Sequence, residues 1–394
     1  MLASIPACLG ALLLLAVWTQ FGWNATFGAI EPRWTIRIKA PLGFIAEGGP
    51  GLDWDRLTGG AYQKAAGRRL GTLSMVHYTA VRWKNQLYYS LFGMSGLSNV
   101  IIGPDRQLNY REHVQGYCEL NLAGLDQRVG GWARDLRRVQ DALESRGVAF
   151  LYVTTPTKPG LYPETLPAEN GCFAAADKRR QLLGALRFAL DSNGVHYADS
   201  AMQLVSERAA HATALFPRGG AHWNALGAAL AATAITGAVN QLAGRELLLP
   251  FRFTWTMSDR PNGLDRDLVD VLNLMVKPRY AVPVLQIASA PPAQCRPARV
   301  VEVGGSFLWG INDILGQTAC PPEIREWYYW DRRHFVYPPG RTRGLPVDAA
   351  VRIADLTRDA DVVILEENEQ GVAVTDHARR LRDLLLGAPD AGGR

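Results

Sequence analysis

Apolar residues at steps of three and four (Val129, Trp132, Leu136, Val139 and Leu143) predict a helix that Gly147 ends. Residues 148–154 are continuously apolar or β-prone and read as a buried strand, closed by the loop 156–160 with its two prolines. A second helix is expected over about 176–191, with Leu182, Leu183, Leu186 and Leu190 turned inward, and a short strand over 195–198 follows Gly194. The alanine-rich stretch from Asn224 to about Gln241 predicts a third helix. Residues 299–303 are β-rich, and 361–366 form a final continuous apolar strand, the pattern of a parallel strand covered on both faces. Upstream, 75–110 is rich in aromatic residues (Tyr88, Tyr89, Phe92) and carries the turn-like Gly103, Pro104 and Asp105.

Strands separated by helices predict the α/β class, an open parallel sheet with helices on both faces and with sites at the strand carboxyl ends. Three chemically interesting segments fall at such ends: Ser306, residues 155–158 and residues 366–369. With 394 residues, 48% hydrophobic and 20% charged, the chain is long enough for a large core. It reads as one domain over 31–386 with a loose tail over 387–394, and no internal repeat is visible.

The first thirty residues carry no charged side chain, and 2–18 are long and apolar enough for a bilayer span or an export signal. No small-residue cleavage site follows, which favours an uncleaved anchor in the inner membrane. Against export, Arg33, Arg37 and Lys39 follow the segment and nothing basic precedes it, a bias that alone would keep the body cytoplasmic. Cysteine usage points the other way. Cys118, Cys172, Cys295 and Cys320 are an even set with three possible pairings, and Cys295 with Cys320 would bracket the serine turn; free buried thiols remain the alternative. No two cysteines have CxxC spacing, so a structural zinc site is not expected. The net charge of +5 is spread along the chain, which argues against a nucleic-acid face and leaves a mild attraction for an anionic polysaccharide.

Two residues carry the chemistry. Ser306 follows Gly304 and Gly305 at a strand-to-helix turn, where glycines permit close backbone approach and amides near Gly305 and Phe307 are oxyanion candidates. His222 stands with Trp223 and Asn224 at a helix start, where the dipole favours a neutral base. The other six histidines have no comparable setting. The triplet before Ser306 lacks the second glycine of a GxSxG elbow, Leu308 standing there. Lys158 reads either as a loop cap or as an offset to substrate charge.

With these residues in place, the chain resembles the alginate O-acetyltransferase family, over about 75–370. The matching segments are 153–163 (with Lys158 and Tyr162), 216–227 (with His222, Trp223 and Asn224), 304–307, and the lead-in 100–110. The resemblance implies an SGNH-hydrolase-like domain with a permuted motif order, histidine before serine, exposed to the periplasm. It implies Ser306 as nucleophile and His222 as base, with a membrane-bound O-acyltransferase as donor partner; Gly305, Phe307, Lys158, Tyr162 and Asn224 are candidates for the oxyanion and substrate contacts. The chain departs from the family at Gly220, where the family has the aspartate of an Asp-x-His pair. Glu366 and Glu367 are the candidates to replace that acid, and Gly220→Asp is expected to preserve activity. The function expected is transfer of acetyl groups to an exported polysaccharide. Two alternatives stay open: a carbohydrate esterase of the same fold, and a non-catalytic polysaccharide-binding subunit.

Overall fold

A computed structural model describes residues 75–330 (apart from 171 and 173), 333–337, 343–345 and 357–387, together with residues 14, 18, 41 and 42. The expected N-terminal anchor and all of the tail beyond residue 387 lie outside the described residues. The described residues group into two compact units, one within 1–100 and 268–278, the other within 101–267 and 279–394.

In the smaller unit, α1 (Met75–Leu87) runs into a wide helical turn, Tyr88–Phe92, that Gly93 ends in the left-handed region. The Asn85 side chain donates to the Leu272 carbonyl at 2.7 Å, and Asn273 exchanges hydrogen bonds with the Leu42 backbone.

The larger unit is built on a seven-stranded sheet. Its strands in chain order are β3 (Ala149–Thr155), β4 (Tyr197–Asp199), β7 (Arg299–Gly304), β8 (Glu323–Tyr328), β9 (Arg333–Tyr337), β10 (Arg343–Leu345) and β11 (Val362–Asn368), and in space the order is β10-β9-β8-β7-β11-β3-β4. The five strands from β8 to β4 are parallel, and β9 and β10 close one edge antiparallel. The sheet is thus mainly parallel. Two-stranded sheets join β1 (Val100–Ile102) to β2 (Leu108–Tyr110), and β5 (Arg252–Ser258) antiparallel to β6 (Val282–Ala288).

Alternation along the strands splits the core into two layers. Leu151, Val153, Val300, Ile324 and Ile364 face α6 (Ala225–Ala243) and α7 (Phe307–Leu315). Phe150, Tyr152, Val301, Val303, Val363 and Leu365 face α3 (Leu125–Glu144), α4 (Ala175–Ser192) and α8 (Asp376–Leu386). Helices therefore cover both faces. Two further helices, α2 (Arg111–Cys118) and α5 (Ser200–Ala210), complete the unit. Among the described residues, α6 alone is long and apolar enough to cross a membrane, and half of it is buried in this core. The cysteines pair as Cys118–Cys172 and Cys295–Cys320.

Candidate active site

Ser306 sits between β7 and α7, at the carboxyl end of the parallel strands. Its backbone is ordinary (φ −68°, ψ −10°), so the turn is not a strained elbow. His222 lies just before α6, whose cap is Asn224: the side-chain oxygen accepts from the Gly227 amide at 3.1 Å while the amide nitrogen donates to Ala214 at 2.6 Å. Trp223, fully buried, meets the Phe307 ring edge-on at 5.1 Å, and Phe307 lies 5.0 Å from the His222 ring. These contacts lock the imidazole against the start of α7.

The result is a continuous polar line. His222 Nε2 is 2.6 Å from Ser306 Oγ, and His222 Nδ1 is hydrogen-bonded to Asp267 Oδ2. The other Asp267 oxygen accepts from the Ala221 amide at 2.9 Å, which fixes the carboxylate relative to the histidine's own backbone. A carboxylate on one imidazole nitrogen and a hydroxyl on the other can draw the hydroxyl proton onto the ring and stabilise the imidazolium that forms.

Asp267 was missed from sequence. It lies 45 residues beyond His222, directly after the short helical turn Gly263–Arg266, in a stretch with neither strand nor helix periodicity. The one signal was a pair of acids, Asp265 and Asp267, in a loop. Glu366 and Glu367 do not take this place. Glu366 points beneath the serine turn, accepting from the Gly305 amide at 2.7 Å and from the Thr155 hydroxyl. Glu367, one residue on and therefore on the opposite sheet face, accepts from Trp132 Nε1 and the Tyr152 hydroxyl, each at 2.9 Å, and from Thr375.

Other expected substrate contacts are structural. Lys158 is 1% exposed, and its ammonium nitrogen lies within hydrogen-bonding distance of four carbonyls: Pro217 at 2.7 Å, Leu108 at 2.8 Å, Arg218 at 3.1 Å and Gly220 at 3.4 Å. It clamps the loop that delivers His222, and burial lowers its pKa to about 7. The Tyr162 oxygen accepts from the Leu215 amide at 2.9 Å, and Arg208 covers its ring. The Gly305 amide is engaged by Glu366, so it is not directed at an oxyanion; Gly305 is needed instead because a β-carbon there would stand 2.9 Å from the Tyr329 hydroxyl.

Gly220 has a similar explanation. A β-carbon at this position would stand 2.3 Å from the Leu264 carbonyl oxygen and 2.8 Å from Pro217 Cγ. The glycine lets the histidine loop lie against the segment that carries the acid. Contrary to the expectation from sequence, the fold leaves no room for the side chain of Gly220→Asp.

His113, on α2, is a neighbour that sequence did not single out. Its ring is 6.1 Å from Phe307, and burial, then the positive charge of His222, lowers its pKa to about 3. It stays neutral beside the site.

A family model described as the SGNH hydrolase-like domain of the acetyltransferase AlgX matches residues 100–296, a span that includes His222 and Asp267 and ends before Ser306. Among solved structures, the chain is similar to the O-acetyltransferase domain of Pseudomonas putida AlgJ, with 18% identity over 72% of this chain and 99% of that one and a TM-score of 0.45. It is also similar to Pseudomonas aeruginosa AlgX (14% identity, 75% and 68% coverage, TM-score 0.48) and to Bacillus cereus PatB1 (10%, 69% and 96%, TM-score 0.40). No curated protein matches the chain. The fold is SGNH hydrolase-like, and the chain belongs to the family of the acetyltransferase AlgX SGNH hydrolase-like domain.

Proposed function

We propose that this protein transfers acetyl groups to hydroxyls of an exported polysaccharide through an acetyl-serine intermediate. The observation that carries the reading is the line from Ser306 Oγ to His222 Nε2 at 2.6 Å, with Asp267 on Nδ1. Family membership supports polysaccharide O-acetylation as the class of reaction.

In the first half-reaction Ser306 Oγ attacks the acyl carbonyl of a donor while its proton passes to His222 Nε2. Asp267 holds the tautomer with hydrogen on Nδ1 and stabilises the imidazolium. The carbonyl oxygen gains charge next to the first turn of α7, where the Ser306 and Phe307 amides lie and helix geometry leaves N–H groups without intrahelical acceptors. Collapse of the tetrahedral intermediate gives the acetyl ester on Ser306, and the departing donor group takes the proton from His222. In the second half-reaction a sugar hydroxyl gives its proton to Nε2 and attacks the ester carbonyl, and Ser306 leaves with that proton. No metal or diffusible cofactor enters these steps.

The donor partner in this account is a membrane-bound O-acyltransferase, and the setting is the periplasm, with an N-terminal anchor in the inner membrane. The pairing of all four cysteines of the body is consistent with an oxidising compartment. The case for a non-catalytic subunit rested on Gly220, and Asp267 supplies the carboxylate whose absence that case required.

Product analysis tests the reading: protein, a reactive acetyl ester and a polysaccharide are incubated, and sugar-bound acetate is measured. Wild type is expected to give acetylated sugar, and Ser306→Ala none above background. Free acetate as the sole product, whether or not sugar is present, would make the protein an esterase.

A further inference from the structure

The serine turn itself is relaxed, but its neighbour is not. At the end of β8, Tyr329 and Trp330 both have left-handed backbone conformations, with φ of 45° and 65°. Large side chains rarely adopt this region, and such residues cluster where a site demands them. Trp330 is buried at 8% exposure in the core layer behind the sheet, which anchors the turn. The Tyr329 amide donates to the Gly304 carbonyl at 2.8 Å, tying the turn to the residue two before the serine.

The strained turn sets the Tyr329 ring directly against Gly305, next to Ser306. Tyr329 also meets the Tyr328 ring at 4.5 Å, and Tyr328 stacks on Trp309 at 4.9 Å with 26° between planes. Trp309 is itself on the first turn of α7, its amide bonded to the Ser306 carbonyl at 3.3 Å. Three rings from two elements thus form a contiguous aromatic surface around the nucleophile's turn, and each remains partly exposed. None of them is used by the proton path.

We infer that Trp309, Tyr328 and Tyr329 form the acceptor subsite, a platform on which a pyranose ring of the polysaccharide stacks by its C–H face. Pyranoses present an apolar C–H face and a hydroxyl rim, and large rigid rings with a polar edge complement both at small entropic cost. The platform sits where it would hold a sugar hydroxyl near an acetyl group on Ser306. The inference deepens the acyl-transfer reading and rests on it for the identity of the ligand, but it makes its own prediction about binding.

The test is equilibrium binding of three hexasaccharides by calorimetry: a neutral 1,4-linked glucose oligomer, a 1,4-linked hexuronate oligomer and an N-acetylglucosamine oligomer. At least one binds wild type. For that one, Tyr329→Phe, which keeps the ring, stays within about twofold, while Tyr329→Gly, which suits the backbone but removes the ring, weakens binding roughly tenfold or more. Trp309→Leu provides a second variant should the glycine protein not fold, and the same loss is expected. Undiminished affinity in a folded ring-removing variant overturns the platform, as does failure of all three sugars to bind wild type at about 10 mM. Acetylation of wild-type Ser306 is assayed separately. If it fails while ring-dependent sugar binding holds, the acyl-transfer reading falls and the platform stands.

Discussion

Asp267 reaches His222 Nδ1 from a segment 45 residues downstream, and in doing so fills the place that Gly220 leaves without an acid. The carboxylate comes from a segment distant in sequence, and its spatial relation to the imidazole is that of a serine–histidine–aspartate line. The glycine is then part of the same arrangement, since it allows the two loops to touch.

Asp267→Asn is expected to keep the fold and lower the acyl-transfer rate by roughly 10⁴-fold, the scale seen when only the acid of a serine-protease triad is neutralised. The amide oxygen can still accept from Ala221, but the group no longer favours hydrogen on Nδ1 or stabilises the imidazolium. Steady-state rates with a small acetyl ester, alongside melting curves for wild type and variant, check this. A rate within tenfold of wild type would show that Asp267 does not serve His222.

Gly220→Asp is expected to destabilise the protein and to lower activity with it. Forcing a side chain against the Leu264 carbonyl is overpacking, which costs about 1–3 kcal/mol and displaces the segment that carries Asp267. Thermal denaturation and the ester assay read the two effects together. An unchanged melting temperature with full activity would contradict the close approach described here.

Three carboxyls, Glu302, Glu326 and Glu366, are buried on the α6–α7 face of neighbouring strands, and Glu302 is the register partner of Glu326. Burial pushes Glu326 up to about 8, and burial together with the charge of Glu326 raises Glu302 well above the ordinary carboxyl range. Between the ordinary value of 4.5 and about 8 the folded protein therefore holds a proton that the unfolded chain has released. Stability falls as pH rises through that window, because the native state binds more protons there. Denaturant midpoints at several pH values from 5 to 8 should decline for wild type and decline less for Glu326→Gln; parallel profiles would contradict the assignment.

Peptide mapping without reductant should return two linked pairs, Cys118–Cys172 and Cys295–Cys320, from protein secreted through an oxidising compartment. By chain entropy, loops of 54 and 25 residues correspond to about 4 and about 3.5 kcal/mol, so Cys→Ser variants of either pair should melt measurably lower. Four free thiols would remove the support for an exported body.

Much of this fold was legible because its layers follow simple periods. The step-of-three-and-four pattern of Val129, Trp132, Leu136, Val139 and Leu143 marked the buried face of α3, and continuous apolarity marked β3 and β11 as strands covered on both sides. Ser306 and His222 were readable because each follows a glycine turn at an element boundary. β8 was not recognised, since a fully buried Glu326 interrupts the apolar pattern that identifies an interior strand. Glu366 and Glu367 were placed at the right strand end, but alternation sends one beneath the serine turn and the other to the opposite face. Asp267 carries no periodic signal at all, because its role comes from a tertiary contact between the histidine loop and the start of a five-residue helix, Asp267–Val271, too short to show a period.

Acyl transfer at this site requires that Ser306 become acetylated. Rapid mixing of the protein with p-nitrophenyl acetate, without a sugar acceptor, followed by acid quench and peptide mass analysis, tests it directly. The expected result is a burst of about one p-nitrophenol per protein and a single acetyl group on the Ser306 peptide, which disappears on addition of an acceptor polysaccharide and is absent from Ser306→Ala. A correctly folded wild-type protein with no burst and an unmodified Ser306 peptide would contradict it.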